Sequence, residues 1–210
     1  MTGTKTLTWG CSLALGGLLF CALASQAPAQ TPPHEPSDFS AWFVMVRIPA
    51  TGAGPVGDGT MFPGLTFLNG AQSGAIFVDY TNKRTALGYF GPDGVTTTSK
   101  VWQFFDKLAQ YKYNYQTEAC TKSDLNLTIT PAFGWVAKAT LSAESTDTNI
   151  WGSTTSPGHL VELGVARNAS ITPTFLLWRD GTLAAEMRIL IFTSGQPDAS
   201  VFSLPAACAE

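Results

Sequence analysis

Three carboxylates lie inside segments that we predict as strands, and they are the first candidates for acid–base chemistry. Asp79, Glu162 and Glu186 each have apolar neighbours. Two carboxyl groups that face each other could form the catalytic pair of a glycosidase. Alternation along a strand instead turns such charges outward, as in Glu186-Met187-Arg188-Ile189. We favour the outward orientation and predict that the protein is not an enzyme, with a hydrolase that uses these carboxylates as an alternative.

A glycine-rich segment matches the spacing of a dinucleotide-binding motif. Gly52-Ala53-Gly54-Pro55-Val56-Gly57 follows a predicted strand and fits G-x-G-x-x-G. This motif holds a pyrophosphate only when its glycines open a helix whose N-terminus binds the anion. Further glycines and prolines follow as far as Gly70, and no helix of useful length fits there. We therefore predict no nucleotide and no other cofactor.

The histidines favour neither a metal site nor a catalytic triad. His34 lies in a proline-rich stretch, and His159 follows Pro157-Gly158 in a turn. A Ser-His-Asp triad could use His159, but Ser73 does not lie in a G-x-S-x-G elbow. The histidines are far apart in sequence from each other and from the cysteines of the mature chain, so we predict no metal ligands.

Residues 1–29 are typical of a cleavable signal peptide. An apolar run from Leu7 to Ala24 precedes Ala27-Pro28-Ala29, which is an A-x-A cleavage pattern. A membrane anchor is the alternative, because a run of this length approaches what a bilayer requires. The glycines in the run and the cleavage pattern behind it favour the signal peptide. We therefore predict a secreted, extracellular protein.

The cysteines and the glycosylation sequons agree with export. Cys120 and Cys208 remain after cleavage, and an even count in an oxidising compartment predicts one disulfide between them, with two buried free thiols as the alternative. Asn126-Leu127-Thr128 and Asn168-Ala169-Ser170 are acceptor sequences for N-linked glycans. We expect a glycoprotein modified at Asn126 and Asn168.

Composition predicts one β domain behind a short lead-in. Residues 30–37 (QTPPHEPS) are rich in proline and are predicted to be disordered, and residues 38–210 form a single domain by length. Charged residues make up only 13% of the chain, which suits a β protein better than a helical one. The net charge of −3 and the lack of a basic patch argue against a nucleic-acid partner.

Apolar and β-branched runs between turn residues predict the strands. These runs are 39–48, 75–80, 84–90, 111–115, 149–152, 160–167, 174–179 and 182–193. Residues 101–108 are ambiguous between helix and strand, residues 132–143 could be a short helix, and residues 50–64 are a long loop. Thr81-Asn82-Lys83, with Asn82 suited to positive φ, and Asp180-Gly181 predict two hairpins. The pattern favours an antiparallel sandwich or a half-open barrel.

A series of short motifs runs in order from Phe77 to Cys208. They are Val78-Asp79-Tyr80, Asn82, Arg84, Tyr89, Tyr113, Tyr115, Cys120, Ile150-Trp151-Gly152, Pro173, Phe192-Thr193-Ser194-Gly195-Gln196-Pro197-Asp198, Val201-Phe202, Pro205 and Cys208. In order and spacing this part of the chain resembles the ependymin-related secreted proteins, which are similar to bacterial LolA-like lipoprotein carriers. The resemblance implies two curved antiparallel sheets that enclose a deep apolar pocket, in a secreted and often dimeric glycoprotein thought to bind lipids. The family usually has further cysteines near the mature N-terminus, and this chain has none there.

Alternation along the strands selects side chains for such a pocket. Those that we predict to bind an apolar small molecule, lipid or fatty acid are Ile76, Val78, Tyr80, Tyr89, Tyr111, Tyr113, Tyr115, Trp178, Met187, Ile189 and Ile191. We expect these side chains to line one cavity between two sheets, with the tyrosine row at its mouth. The alternative is an extracellular adhesion or matrix-interaction protein in which the same side chains only form a core. A homodimer is possible.

Overall fold

The computed structural model describes residues 31–48, 72–156, 159–168, 172–180 and 183–208. The predicted signal peptide, the predicted loop with its glycine motif, and Gly181 of the predicted turn lie outside the described residues. Residues 31–36 carry no regular secondary structure. The described strands belong to one compact unit, Thr31–Glu210.

The described part of the chain forms one antiparallel sheet of eleven strands. The strands are β1 (Phe39–Ile48), β2 (Gln72–Asp79), β3 (Arg84–Phe90), β4 (Thr97–Phe104), β5 (Ala109–Asn114), β6 (Ala119–Asp124), β7 (Thr140–Glu144), β8 (Thr148–Ser156), β9 (His159–Ala166), β10 (Pro173–Asp180) and β11 (Leu183–Ser194). Their order across the sheet is β6-β5-β4-β3-β2-β1-β11-β10-β9-β8-β7. The sheet is not closed, and β6 and β7 are its edges.

The mainly β, antiparallel and half-open architecture is confirmed. The sheet consists of two meanders, β1 to β6 and β7 to β11, which pair through β1 and β11 in its middle. The expected two sheets are therefore halves of one continuous sheet. The two halves join because β1 and β11 are long and remain paired from Phe39↔Ser194 to Ile48↔Ala184.

The chain between the two edge strands crosses one face of the sheet. This crossing segment, residues 125–139, contains a 3-10 helix at Gly134–Lys138. Its side chains at Ala132, Phe133 and Val136 pack among buried residues of the strands. The helix is shorter than the segment 132–143 proposed from sequence because Ala139 is extended and β7 begins at Thr140.

We call the face beneath the crossing segment the inner face. Alternation along β1 places every second side chain on the inner face. The side chains there are Phe39, Ala41, Phe43 and Met45, and each is at most 3% exposed. The other buried strand residues of this inner cluster are Ile76, Val78, Leu87, Trp151, Val161, Leu163, Val165, Leu176, Trp178, Ala185 and Met187. Each large apolar side chain buried in this way stabilises the fold by about 1.5–3 kcal/mol.

The opposite, outer face is covered over β3 to β6 by the C-terminal tail, residues 195–208. Phe202 is buried there and forms a cluster with Ala86 and Trp102, which we call the outer cluster. The carbonyl oxygen of Val201 accepts hydrogen bonds from Lys100 Nζ at 2.8 Å and from Trp102 Nε1 at 2.9 Å.

The predicted disulfide is confirmed. Cys120 of β6 and Cys208 are bonded, with their Cα atoms 5.3 Å apart. The bond fixes the end of the tail to an edge strand.

One predicted backbone detail is wrong. Positive φ in the β2–β3 turn occurs at Lys83 (φ 54°), not at Asn82. The backbone N–H of Asn82 and its Nδ2 both donate to the carboxylate of Asp79, so this residue remains inside the turn. In a loop built on a turn followed by a left-handed residue, the left-handed position comes last.

Candidate functional site

Seven of the eleven predicted ligand-binding residues meet on the inner face. Buried members are Ile76, Val78, Trp178 and Met187, whereas Tyr80, Tyr89 and Ile189 are partly buried and pack against the same cluster. They come from β2, β3, β10 and β11 and from the turn after β2. Strands far apart in sequence thus contribute to one apolar cluster.

The tyrosine row lies on the other face. Tyr111 is paired with Trp102 and packs beside it in the outer cluster, together with Tyr113. Tyr115 lies beyond β5, is 42% exposed, and contacts Tyr113 edge-on with ring centres 4.9 Å apart. Tyr111 and Tyr113 share a face, as period two predicts. That face is the one opposite to Ile76 and Val78, so these tyrosines do not join the inner cluster.

A bulge in β11 separates Ile191 from Ile189. Trp42 pairs with Ile191 and Phe43 pairs with Ile189, so Leu190 is the extra residue. The bulge turns Ile191 to the outer face, where it is 52% exposed. Simple alternation could not reveal this change, because the sequence through the bulge remains uniformly apolar.

Gly74 allows close packing on the inner face. It pairs with Phe43 on one side and with Tyr89 on the other. A Cβ atom at Gly74 would lie 2.9 Å from Cζ of Phe43 and 2.3 Å from the carbonyl oxygen of Gly88. The Phe43 ring therefore occupies the space above Gly74. Phe43 was not among the predicted residues, although its alternation with Ala41 and Met45 places it on this face.

Two polar atoms at the inner cluster are buried without a hydrogen-bond partner in the described structure. They are Oη of Tyr89 and Nε1 of Trp135, which lies in the crossing segment. Both side chains pack against the inner cluster. Burial raises the pKa of Tyr89, so its hydroxyl keeps its proton and remains a donor at physiological pH. Trp135 was not among the predicted residues.

A polar ladder borders the apolar cluster on β3, β4 and β5. Thr85 Oγ1 donates to Gln103 Oε1 at 2.9 Å, and Gln103 Nε2 donates to Gln110 Oε1 at 2.8 Å. Thr85 pairs with Val78 of the cluster, so the ladder lies on the same face. On this side the strand residues of the inner cluster end at β3, beside the buried Val101 of β4.

Asp79 is the centre of a buried polar network on the outer face. Its carboxylate is fully buried and accepts from Arg84 Nε at 2.8 Å, from Asn82 Nδ2 at 2.9 Å and from Gln196 Nε2 at 3.4 Å. Burial by itself would raise the pKa of Asp79. The hydrogen bonds from Asn82 and Arg84, with the Arg84 charge, outweigh it and lower the pKa below its usual value. Asp79 is thus an ionised structural anchor that ties the hairpin to the tail.

The other candidate carboxylates also point to the outer face. Glu162 and Glu186 both pair with Leu177, so the three residues form one row across the sheet. The two glutamates are separated by two strand spacings, which is about 10 Å. The buried Leu177 side chain lies between them. Glu186 accepts from Arg188 at 2.6 Å and Glu162 from Ser142 at 3.2 Å. An apolar residue between two engaged carboxylates is not the geometry of a glycosidase pair.

Both predicted glycan acceptors are exposed. Asn126 follows β6 at the start of the crossing segment, and Asn168 lies in the turn after β9. Their position on the surface is compatible with modification.

Comparison with known proteins gives no family assignment. No family model and no curated protein matches the chain. An uncharacterized conserved protein from Thermus thermophilus aligns over 80% of this chain and 86% of its own, with 9% identity and a TM-score of 0.45. MucB in complex with MucA(peri) aligns over 81% of this chain and 55% of its own, with 15% identity and a TM-score of 0.43.

A second structure of the same pair, the Pseudomonas aeruginosa MucA/MucB complex, aligns over 81% of this chain and 56% of its own, with 15% identity and a TM-score of 0.46. This chain therefore spans little more than half the length of the two MucB chains. Among the described residues, no helix is long and apolar enough to cross a bilayer.

Proposed function

We propose that this chain is a secreted protein that binds an apolar ligand, a lipid or a fatty acid, at the inner face between the sheet and the crossing segment. The observation that carries the proposal is the convergence of Ile76, Val78, Trp178 and Met187 in one cluster, with partly buried Tyr80, Tyr89 and Ile189 at its margin. Side chains that are partly accessible at the edge of a large apolar cluster offer a surface to a ligand. The resemblance to ependymin-related proteins agrees with this function.

Secretion is part of the same proposal. The Cys120–Cys208 bond is typical of proteins that fold in an oxidising compartment. The proposal also includes a signal peptide over residues 1–29 and glycans at Asn126 and Asn168. N-terminal sequencing of protein secreted by a eukaryotic host should begin near Gln30, and glycosidase treatment should shift its mobility. Protein that starts at Met1 and stays with membranes would contradict this part.

A second candidate function is supported by a different surface. Trp42, Leu190 and Ile191 are 49%, 64% and 52% exposed around the β11 bulge, and Trp42 meets Phe90 edge-on. A contiguous exposed apolar patch is typical of protein–protein contacts. An extracellular adhesion or matrix-interaction protein would use this outer patch and would keep the inner cluster as its core.

Native mass spectrometry of the secreted protein tests the two functions together. Ligand binding predicts a mass above that of the glycosylated chain, with an excess that organic extraction removes. The interaction function predicts the bare chain mass, alone or as a homodimer, and no uptake of added lipid. A delipidated and folded protein that takes up no lipid of any class would contradict ligand binding.

A further inference from the structure

We propose that the ligand of the inner face carries a neutral hydrogen-bond acceptor, such as an ester or amide carbonyl, and that Tyr89 and Trp135 each offer a donor for such a group. The inference rests on the proposed function, because it names the chemical class of ligand for the same site. It predicts that a carbonyl-bearing lipid binds more tightly than a pure hydrocarbon and more tightly than an ionised fatty acid.

The two unpaired donors carry the inference. Oη of Tyr89 and Nε1 of Trp135 are buried and have no partner in the described part of the chain. Native proteins satisfy the great majority of their buried polar atoms, and each unsatisfied atom costs free energy. A ligand acceptor would restore the bond that each atom lost when it left water.

The two donors reach the inner cluster from different elements. Tyr89 belongs to β3, where it pairs with Gly74 beside the Phe43 ring. Trp135 belongs to the crossing segment that covers the cluster. Both the sheet and its cover thus present a donor, and a ligand between them can meet either one.

The chemistry of the donors selects the acceptor. An indole N–H only donates, and a protonated phenol donates as well as accepts, so the ligand must offer an oxygen with lone pairs. Both donors are neutral, and their neighbours in the inner cluster are apolar. Burial of a neutral carbonyl in such surroundings costs far less than burial of a carboxylate. The raised pKa of Tyr89 agrees with poorly solvated surroundings.

Three matched fluorescent probes test the inference: dodecylpyrene, pyrenedodecanoic acid and the methyl ester of that acid. The wild-type glycoprotein should bind the ester more tightly than dodecylpyrene, and more tightly than the ionised acid at about pH 8. Tyr89→Phe should weaken binding of the ester roughly tenfold, the effect of one hydrogen bond of about 1.4 kcal/mol, and should leave dodecylpyrene unchanged. Trp135→Phe should act in the same direction.

Tyr111→Phe is the matched control. Tyr111 pairs with Trp102 and packs on the outer face, so its hydroxyl lies away from the inner cluster. This variant should bind all three probes as the wild type does. Equal affinity of wild type and Tyr89→Phe for the ester would overturn the inference and leave the proposed function standing, provided that dodecylpyrene binds. Tighter binding of the ionised acid than of the ester would also overturn it, whereas binding of none of the probes would overturn the proposed function itself.

Discussion

The guanidinium carbon of Arg84 lies 4.1 Å from the centre of the Phe202 ring. The same group pairs with the buried carboxylate of Asp79 at 2.7 Å, so one side chain links the β2–β3 hairpin to the C-terminal tail. Gln196 of the tail donates to the same carboxylate at 3.4 Å. All four residues belong to the short motifs that run in order from Phe77 to Cys208. In this part of the chain, those motifs therefore correspond to one structural network.

Asp79→Asn is expected to lower the free energy of unfolding by about 3 kcal/mol, because removal of one partner leaves the Arg84 charge uncompensated beneath the tail. Urea unfolding measures the change. Glu186→Gln is the control, since its partner Arg188 is largely solvent-exposed and the ion pair should contribute less than about 1 kcal/mol. Equal effects of the two substitutions would show that the Asp79 network does not anchor the hairpin.

Glu35→Gln is expected to change how stability depends on pH. Burial raises the pKa of Glu35 to about 7, and neither carboxylate oxygen has a partner in the described structure. Because the folded-state pKa lies above the unfolded value, the folded protein binds the extra proton. The contribution of Glu35 to stability is greatest below about pH 4.5 and is lost as the pH rises through about 7.

We therefore compare Glu35→Gln with wild type at two pH values. The substitution should be more favourable for the free energy of unfolding at about pH 8 than at about pH 4.5, by up to about 3 kcal/mol. Guanidinium unfolding at both pH values provides the measurement. Glu118→Gln, at an exposed position, should show the same small effect at both. A Glu35→Gln effect that does not change with pH would contradict the burial of this carboxyl.

Replacement of Cys120 and Cys208 by serine should lower the free energy of unfolding by about 4–5 kcal/mol, since the bond closes a loop of 88 residues. The tail should also exchange its amide hydrogens faster, and the indole N–H of Trp102, which donates to Val201, should lose protection. Unchanged exchange in the tail would mean that packing of Phe202 alone holds it.

Gly74→Ala should destabilise the fold by more than about 2 kcal/mol, because overpacking forces backbone and side chains apart. The added Cβ would meet the Gly88 carbonyl oxygen at 2.3 Å. Gly88→Ala, in the neighbouring strand, is the control, since its Cβ would meet its nearest atom at 3.8 Å. Thermal unfolding of the two variants compares them, and similar losses would contradict the close packing at Gly74.

Local patterns predicted the bounds of the strands more accurately than they predicted the face of the sheet on which each side chain lies. The predicted ranges of β1 and β3 match the structure because alternation of apolar residues is a local property of the chain. The face of Tyr111 depends instead on its pairing with Trp102, which in turn depends on the register of β3 and β4. No local pattern sets that register.

The site was only partly predictable for the same reason. Met187 and Ile189 were placed correctly on one face, but the bulge at Leu190 moves Ile191 to the other. Trp135 contributes to the inner face only because the chain between β6 and β7 must cross the sheet, a consequence of the strand order. The cysteine pair was predictable because two of the four cysteines lie outside the predicted signal peptide, and two cysteines allow one pairing.

Titration with the methyl ester of pyrenedodecanoic acid, comparing wild type with Ile189→Asp and Ile191→Asp, tests ligand binding at the inner face most directly. Both changes lie on β11 and are chemically identical, but Ile189 packs against the inner cluster and Ile191 is exposed on the outer face. The proposed function predicts saturable binding by wild type and Ile191→Asp, and binding at least roughly tenfold weaker by folded Ile189→Asp, since a charge in the apolar site must lose its hydration. Saturable binding that Ile189→Asp leaves intact, or no binding by folded and delipidated wild-type protein, would contradict a ligand site at the inner face.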